Sequence, residues 1–143
     1  MHTKSPDHHD AELMLRVYEL RRESVIREAR TAINGQFWPK TYDDAIAITR
    51  ADHPMNAAFR QVSSYWEMVY AIARHGIVNA DYWVEGNSEG LFLFAKFGPH
   101  LERLRKEYSE GAFSNAEWIA NESAQGRRIH EVISARVQRV VAG

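Results

Sequence analysis

The sequence predicts an all-α protein: one domain, a bundle of four to six helices, two of them long. Three observations carry this. Between residues 55 and 75, Met55, Phe59, Val62, Trp66, Val69 and Ala73 recur at alternating spacings of four and three, the period of one helix face. Helix-start signals recur along the chain, at Ser5 and Pro6, at Thr41, at Asn79 and at Ser114. Strand signals have no partner: the apolar run at Leu91, Phe92, Leu93 and Phe94 would be an isolated strand, with nothing to satisfy its backbone groups.

The first helix is expected from Ser5 and Pro6 to about Asn34 and Gly35, a normal C-terminal stop. Leu13, Val17, Leu20 and Ser24 form one stripe, and Met14, Tyr18, Val25, Ala29 and Ala32 a neighbouring one, together a broad apolar face. Opposite lie Glu12 with Arg16 and Glu23 with Arg27, acid before base at i,i+4, which reads as a solvated face. Residues 1–5 are expected to fray. Phe37, Trp38 and Pro39 form an apolar connector. Thr41 then opens a short helix with Asp44 as its capping-box partner, and His53-Pro54 ends it. Asp52 is a candidate cap for the helix that follows.

That helix, the central one, is expected to stop at Gly76 in a Schellman-type end. Ile77 is then placed for the accompanying apolar contact, and Arg74 and His75 sit at the negative end of the dipole. Asn79 caps a short helix through Trp83. The segment from Ser88 to Phe97 reads as helix, kinked at Gly98 and Pro99 and continuing to about Tyr108, with a stop near Gly111. Ser114 to Glu117 has the form of a capping box. The helix it opens reaches Val141 if Gly126 is tolerated, as a soft spot or a point of close packing. Unbroken, it would be about 40 Å long, more than a small globule needs, so part of it is expected to pack on another subunit.

At 143 residues, 45% hydrophobic and 26% charged, the chain has the balance of a folded domain and not of a disordered tail. A net charge of −1 argues against a nucleic-acid binder, which needs a basic excess to neutralise phosphates. Without cysteine there are no disulfides, no thiolate metal sites and no cysteine nucleophile. Met1 to Asp10 is polar and His-rich with no apolar stretch of a secretory signal, and no run approaches a membrane span. The expectation is a cytoplasmic protein.

Chemistry is harder to find. His2, His8 and His9 lie near Asp7, Asp10 and Glu12, yet on a segment expected to be mobile, so no metal site is assigned and no cofactor is implied. His53, His75, His100 and His130 are isolated. There is no nucleophile elbow and no phosphate loop, and residues 86–90 read as a turn that starts a helix. Two places merit a functional reading. Glu67 stands beside Trp66 and Tyr70, where a carboxylate among aromatics needs a partner. Arg60, Arg103 and His100 are candidates, and with Trp83 the group could line an aromatic, acidic pocket. The bland alternative is an ion pair or hydrogen bond between helices. The second place is the C-terminal helix, basic by three from Arg127, Arg128, Arg136 and Arg139 against Glu131, the one hint of an anionic partner.

The stretch YWEMVYAIARHGIVNADYW and, after a gap, GLFLFAKFGPHLERLRKEY resemble a family of uncharacterised bacterial helical proteins of the DUF4760 type, and the first-helix segment YELRRESVIREAR is similar in style. The resemblance covers about half the chain. It implies an all-α fold and no known activity, so no catalytic residue is carried over. The functional expectation is a helical interaction protein, not an enzyme, that self-associates through its C-terminal helix. The alternative is a small-molecule binder, or an unassigned enzyme, with a pocket around Trp66, Glu67, Tyr70, Trp83 and Arg103.

Overall fold

The structure is a computed structural model that describes residues 4–143. Those residues form nine α-helices and one 3-10 turn, with no strand among them: α1 (His8–Arg22), α2 (Ser24–Gln36), α3 (Tyr42–Ala47), α4 (Asn56–Arg74), α5 (Ala80–Gly86), α6 (Gly90–Phe97), the 3-10 turn Gly98–His100, α7 (Leu101–Glu107), α8 (Ser114–Glu122) and α9 (Ala124–Ala142). The all-α expectation holds and the count of four to six does not. The difference has one physical origin. Three of the expected helices are each broken once, and at two of the breaks a side chain leaves the helix surface to cap the next segment.

The first break is Glu23. Its backbone turns extended, its amide still bonds the Leu20 carbonyl, and its carboxylate accepts from the Val25 amide to open α2. The second is at Gly98 and Pro99, as the sequence predicts. The third is Ser123, also extended and fully buried, whose Oγ accepts from the Gly126 amide at 2.9 Å. The C-terminal segment is therefore no single rod. α8 and α9 fold back on each other, and the excess length that pointed to a second subunit disappears. Gly126 is the close-packing point, since a Cβ there would overlap the carbonyl of Ile119. The longest helices are α4 and α9, 19 residues each.

α4 is central: α2 lies along one side of it and α8 along another, while α9 packs on α6, α8 and α5. The stripe predicted on α4 is the buried one, with Phe59, Val62, Trp66, Val69 and Ala73 all within the core and Tyr65 and Tyr70 beside them. The largest fully buried side chains are Trp83, Tyr70, Lys96 and Phe97. Each large apolar side chain so buried contributes about 1.5–3 kcal/mol. α4 ends as expected, for Gly76 adopts φ 75° and the Ile77 and Gly76 amides bond the Ile72 and Ala73 carbonyls, the two bonds of a Schellman end. Ile77 itself remains exposed.

Other starts differ from expectation. α1 begins at Asp7, whose carboxylate accepts from the His9 and Asp10 amides, and not at Ser5. Thr41 and Asp44 form the expected capping box. Asp52 does not cap α4; the ring of His53 accepts from the Met55 amide instead. The expectation of fraying falls partly on residues 1–3, outside the described residues. Lys4 is held, its carbonyl accepting from Asn79 Nδ2. No helix of the described residues is long and apolar enough to cross a membrane.

Candidate functional site

The five residues singled out in the sequence do not meet around one cavity. Trp66, Tyr70 and Trp83 are core residues, and the polar atoms of two of them are engaged: Tyr70 Oη donates to the Asn87 carbonyl at 2.7 Å and Trp83 Nε1 to the Val69 carbonyl at 2.9 Å. Trp66 stacks on Tyr70 and meets Tyr65 edge-on. Gly90 closes this site further, since a Cβ there would lie 2.5 Å from Tyr70 Oη and 2.7 Å from the Trp66 ring. Arg103 is on another surface, paired with Glu107 at 2.8 Å and stacked over Tyr42. It is not the partner of Glu67, and neither is His100, whose ring lies by Tyr42.

Glu67 faces away from the aromatics, toward the start of α8. Its two carboxylate oxygens accept from the Asn115 and Ala116 amides at 3.0 and 2.9 Å, and its own carbonyl accepts from Asn115 Nδ2. Ser114 makes no cap bond, so the capping box expected within α8 is replaced by a carboxylate from α4. Burial raises the Glu67 pKa, while the two amides and then Arg105 and Arg74 pull it back. Glu67→Gln puts an amide NH₂ against one of those N–H donors. It is expected to lower stability by about 1–2 kcal/mol in urea unfolding while leaving the helical circular dichroism intact. An unchanged midpoint would contradict the capping role.

The same device recurs at helix ends throughout the fold, a feature that the sequence reading missed. Arg30 grips Glu89 with two bonds of 2.6 and 2.7 Å and also donates to the Arg21 carbonyl at the end of α1. Arg21 donates to the Gly86 carbonyl and to Asn87 Oδ1 at the end of α5. Lys96 donates to the Ile33 and Asn34 carbonyls at the end of α2. Asp81 accepts from Ser123 Oγ and the Gln125 amide at the start of α9, and the buried Asp10 accepts from the Asn79 amide ahead of α5. Acids sit at N-terminal ends and bases at C-terminal ends, the sense that the helix dipole favours. Residues 86–90, which read as a plain turn, take the ties of both Arg21 and Arg30, at Gly86, the fully buried Asn87 and Glu89.

Two surface features remain. A cleft of about 290 Å³ runs along the outer edge of α4 to the α7–α8 loop, with Phe59, Ala112 and Phe113 as apolar lining and Arg60, Ser63, Ser64, Glu67 and Ser109 among its polar groups. Phe113 adopts φ 59°, a left-handed conformation rare for a bulky residue, and its ring is held 4.9 Å from that of Phe97. A groove of about 490 Å³ lies along α9, lined by Ile129, Val132 and Ile133 with Arg128 and Arg136 at its polar margin. Among the described residues, no group of three His, Asp or Glu side chains converges as metal ligands would. His2 of the N-terminal cluster lies outside them, and Asp7 and Asp10 serve as caps.

Fold and site together describe an all-α bundle whose charged side chains, two of them buried, tie helix ends to one another. The chain belongs to the DUF4760 family, a domain of unknown function, with a match over residues 6–123. The match ends at the residue that caps α9, so the matched region is α1 to α8. No curated protein and no solved structure matches the chain.

Proposed function

We propose that this protein is a cytoplasmic, single-domain helical interaction protein, non-enzymatic, that pairs with a second copy of itself through the outward face of α9. The observation that carries the reading is on that face: Val132 and Val140, eight residues apart, are 55% and 48% exposed beside the half-buried Ile129 and Ile133. A helix that buries its other side on α6 and α8 while leaving valines outward has apolar area still to cover. The clamped helix ends favour the same reading over a catalytic one, since Glu67 and Lys96 spend their polar atoms on backbone groups, and Arg21 and Arg30 theirs on backbone carbonyls, Asn87 and Glu89.

The arginines make the reading testable. In a twofold, antiparallel α9 pair centred near Val132, Arg128 of one copy approaches Arg136 of the other. Like charges meet, and added salt relieves the repulsion. Self-association is therefore expected to tighten as salt rises, whereas docking of the same arginines on an anionic partner weakens with salt. Sedimentation equilibrium across a salt series separates the two. A dimer that Val132→Glu with Val140→Glu converts to monomer supports the reading. A wild-type monomer at every salt concentration refutes it.

A further inference from the structure

We infer that the cleft between the outer edge of α4 and the α7–α8 loop binds a small amphipathic carboxylate. The cleft lies wholly within the region that matches the family, and it is independent of the α9 surface. Its volume suits a ligand of one ring or a short chain. Phe59 from α4 and Phe113 from the loop, both packed on Phe97, give it an apolar wall. Of the polar groups around that wall, Ser64 and Glu67 are hydrogen-bonded and four others are unspent. Among the described residues the Arg60 guanidinium has no acid or carbonyl within reach, and the hydroxyls of Ser63, Tyr108 and Ser109 make no hydrogen bond. Other charges of the fold are tied to helix ends or paired with one another, as Arg30 with Glu89 and Arg103 with Glu107, whereas the Arg60 guanidinium lines an apolar cleft with neither kind of partner.

The charge pattern selects the ligand. Arg60 and Glu67 lie seven residues apart on α4, about 10 Å along its axis. Glu67 is engaged with the first amides of α8, and Arg105 and Arg74 offset its charge. The accessible pole is thus Arg60, a fork suited to a carboxylate, with serine and tyrosine hydroxyls to share the second oxygen and the apolar body of the ligand against the phenylalanines. The left-handed backbone at Phe113 holds that ring in the wall, where an ordinary helical start would carry it elsewhere.

The test is a titration of the ¹⁵N-labelled full chain with 3-phenylpropanoate and, in parallel, with 3-phenylpropylamine, which has the same body and the opposite charge. The carboxylate is expected to move the amides of Ser109, Gly111 and Ala112, and the amine to leave them in place. Arg60→Gln, an exposed substitution with no partner to lose, is expected to weaken carboxylate binding about tenfold at an unchanged melting temperature. Arg50→Gln, exposed and outside the cleft, is expected to leave it unaltered. No movement of those amides at millimolar probe, equal binding of the amine, or equal affinity in the Arg60 and Arg50 variants would each overturn the proposal.

Discussion

Gly126→Ala is expected to be among the most destabilising single-methyl changes available in this chain, lowering stability by about 3 kcal/mol. The added Cβ meets the carbonyl oxygen of Ile119 and comes within 3.0 Å of its carbonyl carbon, and both belong to backbone. A side chain in that place could swing aside. A carbonyl in the last turn of α8 cannot move without shifting the helix. The turn has no slack to offer, for Ser123 is fully buried, caps α9 through the Gly126 amide and is itself tied to Asp81. The substitution therefore prises α9 from α8. The comparison is Gly35→Ala, inside α2 with open space around its Cβ position, where helix propensity alone is expected to add about 0.5 kcal/mol. Urea unfolding of both variants gives the contrast. Midpoints that move equally would mean that the α8–α9 contact is looser than the geometry shows.

Helix existence was legible in the sequence because it rests on local signals. The stripe from Phe59 to Ala73, the Schellman end at Gly76 and the box at Thr41 each lie within a window of a few residues, and each holds. Helix continuity was not legible. Glu23 four residues before Arg27 reads as a surface pair that supports a helix, yet the carboxylate caps α2 and Arg27 donates to the Arg22 carbonyl. Ser123 reads as one more polar residue in a helix until Asp81, from a distant segment, takes its hydroxyl. In both cases a short side chain has two comparable backbone choices, and tertiary contacts decide between them.

The five candidate residues are dispersed for a related reason. Glu67 reads in the sequence as a carboxylate that needs a partner, and the partners a sequence offers are side chains of opposite charge or ring nitrogens such as that of His100. The actual partners are backbone amides at the start of α8, some 48 residues away in sequence. A helix end has no residue type of its own, so a scan for complementary side chains passes over it. One signal was negative: α2 has no basic residue in its last turn, which leaves that end short of a partner, whereas at α8 the capping-box pattern of Ser114 and Glu117 hid the same vacancy. Lys96 and Glu67 fill those vacancies. Lys96 had its own signal, as the lone charge within an otherwise apolar stretch from Leu91 to Phe97.

Lys96 also provides a sharp test of the clamp principle, because its charge is costly to bury. It is 2% exposed, with Nζ 4.0 Å from the centre of the Trp38 ring and 4.4 Å from that of Phe92, and among the described residues no carboxylate is paired with it. Burial pulls its pKa down from 10.5 to about 8. Between those values the unfolded chain holds the proton and the folded chain releases it. Stability should therefore rise with pH through this window, by about 3 kcal/mol in all. Buried tyrosines oppose the trend: burial raises the pKa of Tyr65 and, more strongly, of Tyr70, so their ionisation weakens the fold above the ordinary tyrosine value. The quantity to measure is thus the difference between wild type and Lys96→Met, which keeps the length of the stem and removes the titration. That difference is expected to grow in favour of the wild type from pH 8 to pH 10. A difference that stays flat would mean that the two ring faces and the two carbonyls at the end of α2 replace the lost hydration of the ammonium in full. The clamp would then cost the fold nothing at neutral pH, and burial would no longer explain the depressed pKa.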